Sequence, residues 1–409
     1  MGRVLSKVIV PAVTVLCLAA RAQEAGAQSR WTIEPDGAIA WKVQRGQAHE
    51  DHIEMSGRKV SVIVTYGAGD RGELTMRRHI VFPTLRTIPN DTHASLSYTY
   101  GEDAEPRIFI GGRAAPSEMV KQFRHRGIMT IDSAFGKAED VVCRRTVFPS
   151  VDQPAVIERY SFTNRSAKPI PIEVESTRKL VRTDQSRGVT GAYLITSEVI
   201  DAGVRPLKPG ESTAFALVFA AREEQSPPLK VDAAAEEQKR RDRVESFLSS
   251  LRLETPEPVL NTAFAFAKIR TAESIYETKG GLMHGPGGGA YYAAIWANDQ
   301  AEYANPFFPF LGDAVANESA INSFRLFARY MNPDYKPIPS SIIAEGTSDW
   351  HGAGDRGDMA MIAYGAGRFA LAYGDRKTAE ELWPLIRCAS NTASANSTRK
   401  ALSPPTAMS

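Results

Sequence analysis

The hydrophobic pattern of this 409-residue chain changes its period near residue 229, and that change constrains the fold more than any other feature. Residues 30–225 contain short alternating or β-branched runs, such as ELTMRRHIVF and AVIERYSFTN. Gly, Pro, Asn or Asp separates these runs at roughly regular spacing, which is typical of antiparallel strands. Many strands without intervening helices predict an antiparallel β-sandwich over residues 30–228.

The second half of the chain has helical spacing. Residues 229–255 combine high charge with helix-forming composition, which predicts an exposed linker helix that lays one side on a neighbour. Residues 256–386 contain further helices, of which Asp358–Tyr373 is the clearest, with Asp358 as its predicted N-cap and Gly374 after its end. Helices are also predicted at Ala293–Tyr303 and Ala314–Tyr330.

The start of the chain predicts a signal peptide. Arg3 and Lys7 precede an apolar run, and Ala20-Arg21-Ala22 forms a cleavage signal, so residues 1–22 would be removed and the protein would be periplasmic or secreted. The apolar run is too short for a spanning helix, although an uncleaved anchor stays an alternative. No membrane span is expected after cleavage.

The net charge of +2 excludes a basic bias, so nucleic acid is not an expected partner. The three cysteines form no disulfide framework or metal motif, and we expect neither a metal nor another cofactor. The sequence leaves the oligomeric state open.

Carboxylates and aromatic rings are concentrated between residues 280 and 358. The carboxylates are Asp299, Glu302, Glu345, Asp349, Asp355 and Asp358, and they lie among Tyr291, Tyr292, Trp296, Trp350 and His351. A pyranose has an apolar face that stacks on aromatic rings and hydroxyls that carboxylates bind, and cleavage of a glycosidic bond uses two carboxyl groups. This composition therefore favours sugar chemistry.

Four segments resemble the six-hairpin glycosidases, and within them bacterial proteins related to α-L-rhamnosidases. They are WANDQAEY at 296–303, GDRGDMAM at 354–361, YGD at 373–375 and ELWPLI at 381–386. The resemblance implies an N-terminal antiparallel β-sandwich, a linker helix and a partial (α/α)6 six-hairpin barrel over 256–386. It implies a glycoside hydrolase with a carbohydrate substrate and a carboxylate acid and base. The β domain comes first, whereas (α/α)-barrel polysaccharide lyases usually carry it last.

Roles for individual residues follow from this resemblance. Glu345, in a loop beside Trp350 and His351, is the candidate acid, and a solvated loop glutamate is the alternative. Asp299 is the second catalytic candidate; on a helix it would share one face with Trp296 and Glu302, and its alternative is a buried carboxylate that holds loops together. The remaining candidates contact the substrate, although Asp355 and Arg356 also suit a plain ion pair. These candidates are Trp296, Glu302, Asp349, Trp350, His351, Asp355 and Tyr292.

The length of the helical half departs from the resemblance. Six hairpins need roughly 350 residues, whereas about 130 lie between Glu257 and Ile386. Residues 387–409 are rich in Ser, Thr and Ala and show no helical period, which predicts either a frameshifted or a disordered tail. The chain is therefore interpreted as truncated, and an inactive enzyme stays an alternative. A non-catalytic carbohydrate-binding protein and a glycoside phosphorylase are the alternatives; the signal peptide counts against the phosphorylase.

Overall fold

The computed structural model describes residues 30–136, 139–290, 292–347 and 357–402, with side chains as far as Ala395. Seventeen strands make up the first domain. They are β1 (Trp31–Ile33), β2 (Ile39–Lys42), β3 (His49–Ser56), β4 (Ser61–Ala68), β5 (Leu74–Arg86), β6 (Ser95–Tyr100), β7 (Ile108–Ile110), β8 (Arg113–Ala114), β9 (Glu118–His125), β10 (Met129–Phe135), β11 (Val141–Pro149), β12 (Ala155–Asn164), β13 (Ile170–Val174), β14 (Arg178–Arg182), β15 (Tyr193–Ile200), β16 (Gly203–Leu207) and β17 (Ser212–Glu223).

These strands form three antiparallel sheets. The largest has nine strands in the order β1-β2-β9-β10-β11-β12-β17-β15-β14, and two four-stranded sheets have the orders β3-β4-β5-β6 and β16-β13-β7-β8. The β3–β6 sheet packs on the nine-stranded sheet. Tyr66 contacts Phe123 with ring centroids 4.9 Å apart, and Tyr100 contacts Phe219 at 4.5 Å. Alternating inward residues of both sheets therefore supply one apolar core.

The described part of the second domain contains six α-helices with four short strands between them. They are α1 (Ala233–Ser249), α2 (Pro258–Glu273), β18 (Ile275–Thr278), β19 (Gly281–His284), β20 (Ala294–Trp296), α3 (Asn305–Leu311), α4 (Ala314–Ala328), β21 (Ser341–Ile343), α5 (Asp358–Tyr373) and α6 (Arg376–Leu402). A single π-helical segment, Asp299–Ala304, precedes α3. The predicted order of a β domain followed by a helical domain is confirmed.

Local signals place several of these helices. Asp232 caps α1 by accepting from the backbone N–H groups of Ala234 and Ala235, and Asp313 caps α4 through Ala316 N–H. Gly374 ends α5 with φ 72°, a left-handed conformation that glycine adopts without strain. The predicted bounds of α5 are confirmed, and the predicted end of α4 is two residues too late.

Three local predictions need correction. The segment 293–303 is not one helix, because Ala294–Trp296 pairs with Ser341–Ile343 and the π-helix begins only at Asp299. The N-cap of α5 is Gly357, with φ 111°, and Asp358 lies in the first turn, where its carboxylate faces the positive end of the helix dipole.

The third correction concerns the tail. Helix α6 does not stop at Ile386 but continues through the described residues to Leu402. Ala389 and Thr392 are buried on the same side as Leu382 and Leu385. Residues 387–402 contain neither Gly nor Pro, so nothing in their backbone chemistry prevents a helix.

Buried charges join the two domains. Arg240 of α1 donates to Gly127 O in the sandwich at 2.7 Å and to Ser56 O at 2.9 Å, and it also pairs with Glu273 of α2. Glu273 accepts from Ser56 N–H at 3.0 Å. The linker helix α1 is therefore held against the sandwich by a buried charged residue as well as by apolar residues.

Candidate functional site

The segment from Trp296 to Tyr303 has an inner and an outer face. Ala297, Gln300, Ala301 and Ala304 are buried in the helical core. Asn298, Glu302 and Tyr303 are exposed, and Trp296 and Asp299 are half-buried. The sequence therefore directs its small residues inward and leaves an aromatic and acidic surface outward, which we call the acidic face (Trp296, Asp299, Glu302, Tyr303).

A hydrogen bond fixes Asp299 within this face. The Tyr303 hydroxyl donates to Asp299 Oδ1 at 3.0 Å, across one turn of the π-helix. Partial burial, and then the nearby carboxylate of Asp299, raise the pKa of Tyr303 to about 12, so the hydroxyl keeps its proton. Within the described part of the chain, Tyr303 is the hydrogen-bond partner of Asp299, and its second oxygen can accept from a ligand hydroxyl or water. Single π-turns inside helices often occur at functional positions.

Helix α5 supports the acidic face from one side. A Cβ atom at Gly365 would lie 2.1 Å from the Ala301 carbonyl oxygen, so only glycine allows the two backbones to approach this closely. One turn further along, Arg368 donates to the Glu302 carbonyl oxygen at 3.1 Å and lies 5.0 Å from the centre of the Tyr364 ring. The face thus continues onto an exposed tyrosine and an arginine of α5.

Glu345 lies at the boundary with the sandwich. Its carboxylate accepts from Arg86 Nε at 3.1 and 3.3 Å. Arg86 is buried and also donates to Ala94 O at 2.7 Å, Asn90 Oδ1 at 2.7 Å and Asp91 O at 2.8 Å. The arginine therefore connects the loop after β5 to the loop that carries Glu345.

Tyr292 is part of a second connection between the domains. It is buried, and its hydroxyl donates to Glu54 Oε1 at 2.6 Å. Glu54 also pairs with Arg270 of α2 at 2.5 Å and accepts from Gly288 N–H at 3.2 Å. A Cβ at Gly287 would lie 2.4 Å from Arg270 Nη2. This contact explains Gly287, which packs closely against the Glu54–Arg270 pair, whereas Gly288 and Gly289 are set by their left-handed φ of 76° and 89°.

The predicted site residues thus separate into two groups. Trp296, Asp299 and Glu302 lie together on the acidic face, whereas Tyr292 and Glu345 each hold a sandwich residue. The other four predictions lie outside the described residues: Asp349, Trp350, His351 and Asp355.

The sequence did not predict the hydrogen-bond partners of Glu345, Tyr292 and Asp299, and the reasons differ. Arg86 and Glu345 are separated by 259 positions, and Glu54 and Tyr292 by 238, so no local pattern announces either contact. Tyr303, in contrast, follows Asp299 by four residues, and that spacing is a visible signal for a contact on a helix.

His284 is not available to bind a metal ion. It is buried, Gln300 donates to its carbonyl oxygen at 2.7 Å, and its ring Nδ1 lies 3.3 Å from the Gln300 amide nitrogen. Burial, and then the Arg270 charge, lower the pKa of His284 to about 4.

In the described part of the chain no three His, Cys, Asp or Glu side chains group as a metal site requires. No helix described there has the length and hydropathy to cross a membrane.

The fold is similar to that of known carbohydrate-active proteins. A provisionally named kojibiose phosphorylase from the human microbiome matches with a TM-score of 0.51 and 10% sequence identity, over 85% of this chain and 57% of that protein. A bacterial glucoamylase complexed with acarbose matches with a TM-score of 0.37 and 11% identity, over 87% and 70% of the two chains, and this low score carries no argument. No protein-family model and no curated protein sequence matches.

The first of these matches shows that the two proteins share a similar fold. The chain spans little more than half of that protein, 57% of its length. At 10% identity the match says nothing about which sugar, if any, this chain binds.

Proposed function

We propose that this protein cleaves glycosidic bonds by carboxylate-assisted hydrolysis. The observation that carries the proposal is the acidic face, where a half-buried Asp299 is oriented by Tyr303 next to Glu302 and Trp296. Trp296 offers a surface on which an apolar sugar face can stack, and the carboxylates accept hydrogen bonds from hydroxyls. The shared fold with a protein named as a glycoside phosphorylase supports the class.

Asp299 is the residue we assign to the reaction. Held by the Tyr303 hydroxyl, its side chain suits the activation of a water molecule or the stabilisation of positive charge on the sugar ring. Glu302 and Trp296 would bind the same sugar, and Arg368 would hold the backbone beneath them.

Glu345 has a more restricted role in this geometry. A general acid has to reach the leaving oxygen of the substrate, whereas both carboxylate oxygens of Glu345 lie against Arg86 Nε. For Glu345 to act as the acid, substrate binding would have to separate it from Arg86; while the pair is intact, Glu345 positions its loop. Asp349, Trp350, His351 and Asp355 follow Glu345 in sequence and stay proposed substrate contacts.

A phosphorylase is the second candidate, and the specific observation in its favour is the name of the matching structure. Both reactions use a carboxylic acid on the leaving oxygen, but the phosphorylase replaces water with phosphate. A non-catalytic carbohydrate-binding protein is the third candidate.

One assay separates the three candidates. The purified chain is incubated with nitrophenyl glycosides, including the α-L-rhamnoside and the α-glucoside, with and without inorganic phosphate. Turnover without phosphate supports hydrolysis, phosphate-dependent turnover supports the phosphorylase, and sugar binding without turnover supports the third candidate.

Two matched variants test whether Asp299 takes part in the reaction. We expect Asp299→Asn to lower kcat by about 10²-fold or more, because a positioned acid–base group contributes about 10²–10⁴-fold. Asp242→Asn, a change of the same chemistry at an exposed position of α1, should leave kcat unchanged. Equal activity of Asp299→Asn and the parent protein would refute the assignment.

Secretion through residues 1–22 is a separate proposal, tested by fractionating cells that express the full chain.

A further inference from the structure

A groove crosses the β-sandwich and is lined only by residues of that domain. Two cavities of about 730 and 480 Å³ share Glu73, Pro116 and Ser117 in their walls, so they adjoin each other. Each volume falls in the range of about 300–1,000 Å³ that is common for small-molecule sites. Because the two cavities adjoin, together they suit a chain of linked units better than a single small molecule.

The larger cavity has a rigid polar wall. Arg145 Nη1 lies 2.9 Å from Glu105 Oε2, and Arg145 Nε lies 3.1 Å from both oxygens of Glu118. The side chains of Arg145 and Glu118 are only 5% and 8% exposed. Behind them, Arg78 and Glu158 form a fully buried ion pair that joins the two facing sheets. These groups cannot reorient freely, so the wall is organised before any ligand arrives.

The Glu105 carboxylate in this wall is a charged acceptor. Burial by itself would raise the pKa of Glu105, but the guanidinium groups of Arg145 and Arg78 lower it to about 2. An ionised carboxylate accepts hydrogen bonds at both oxygens and retains lone pairs beside an arginine. Such a wall suits a ligand that is rich in hydroxyl donors.

Apolar side chains line the same cavity. Phe109 of β7 and Phe135 of β10 contribute to it together with Met76 and Ile108, and Phe135 is the cross-strand neighbour of Glu118. Aromatic rings beside fixed carboxylates are complementary to a pyranose, which has an apolar face and a hydroxyl edge.

Among the described residues, the charges that line the groove cancel. The basic residues are Arg45, Arg71, Arg107, Lys121 and Arg145, and the acidic residues are Glu73, Glu102, Glu105, Glu118 and Glu139. Ion pairs already use several of them, such as Arg71–Glu73 and Lys121–Glu139. A strongly anionic or cationic polymer therefore gains no net electrostatic attraction here, and a neutral ligand is favoured.

We infer that this groove binds a neutral oligosaccharide as a second, non-catalytic carbohydrate site. It would hold a polymeric substrate on the enzyme while the acidic face acts on one bond. The inference rests on the proposed function for the link between the two sites, whereas the class of ligand follows from the walls of the groove.

Isothermal titration calorimetry on the full chain tests the inference. The probes are maltoheptaose and cellohexaose, with hexagalacturonate as a charged comparison. We expect one neutral probe to bind, with at least tenfold weaker affinity for Phe109→Ala and a smaller loss for Glu102→Gln, an exposed residue at the rim of the groove. Phe310→Ala, which removes an exposed ring from α3, should bind as the parent protein does.

Circular dichroism and the melting temperature establish whether Phe109→Ala is folded. If it is not, Glu102→Gln and Arg107→Ala, both exposed, decide the result in its place. Failure of both neutral probes to bind, unchanged affinity in the folded groove variants, or equal binding of hexagalacturonate would overturn the inference.

The nitrophenyl glycosides separate this inference from the proposed function, because a single sugar unit does not need the groove. Groove-dependent binding without turnover would reject the enzyme and keep the second site. Turnover of nitrophenyl glycosides without groove-dependent binding would keep the enzyme and reject the second site.

Discussion

At the scale of single residues, the candidate site depends on which partner each carboxylate has. Asp299 accepts from a tyrosine hydroxyl and keeps an oxygen for other partners, whereas both oxygens of Glu345 face the same buried arginine. The two acidic side chains that were predicted as catalytic candidates therefore have different chemistry. The Arg86–Glu345 pair also gives the loop of residues 344–347 a fixed position against the sandwich.

We predict that Glu345→Gln destabilises the protein by about 1–3 kcal/mol, because it leaves the buried Arg86 charge without its counter-ion. Urea unfolding at neutral pH measures the change. Glu318→Gln removes an exposed glutamate 3.5 Å from Arg325 and should cost less than about 0.5 kcal/mol. Equal stability of the two variants would contradict a structural role for the pair.

At the scale of secondary-structure elements, the acidic face depends on how α5 crosses the π-helix. The crossing point is Gly365, which touches the backbone of Ala301, and nothing lies within 4 Å of the position where Gly367 would place a Cβ. The two glycines of α5 have different roles although they are separated by one residue. Gly365 fixes the distance between elements, and Gly367 only weakens the helix.

These two glycines form a matched pair for a test. Gly365→Ala should destabilise by about 1–3 kcal/mol and lower turnover, since α5 must move away from the segment that carries Asp299. Gly367→Ala should stabilise by up to about 1 kcal/mol, because alanine is the better helix former. Thermal unfolding and glycoside turnover report both effects. A Gly365→Ala protein as stable as Gly367→Ala would refute the close crossing.

At the scale of the whole molecule, each domain buries a neutral histidine. His125 of the sandwich lies beside Tyr66, whose hydroxyl is 2.9 Å from its Nε2, and His284 lies in the helical domain. Burial lowers the pKa of His125 from 6.5 to about 3, with a small opposing effect of Asp51. Because the unfolded chain binds a proton near pH 6.5 and the folded chain does not, acid favours unfolding.

We therefore predict that protonation of these histidines does not lower the free energy of unfolding above about pH 6.5. Below that pH the free energy of unfolding should fall progressively, as the pH decreases towards 3 to 4. Each histidine contributes up to about 1.4 kcal/mol per pH unit in that window. Urea unfolding of His125→Gln between pH 7 and pH 4.5 should show a shallower decline than the parent protein, even if its stability at pH 7 is lower. His52→Gln, at an exposed position, should keep the parent's slope. Identical slopes in all three proteins would contradict the prediction.

The amino-acid sequence by itself determined the order of a β domain and a helical domain and the bounds of α5. These features follow from backbone propensity, capping and hydrophobic period, which act over a few neighbouring residues. Tertiary structure alone decided that Trp296 ends a strand, that Tyr292 and Glu345 hold the sandwich, and that Asp299 stays on an outer face. Those outcomes depend on contacts such as Arg86–Glu345, whose partners lie 259 positions apart and meet only when both domains are folded.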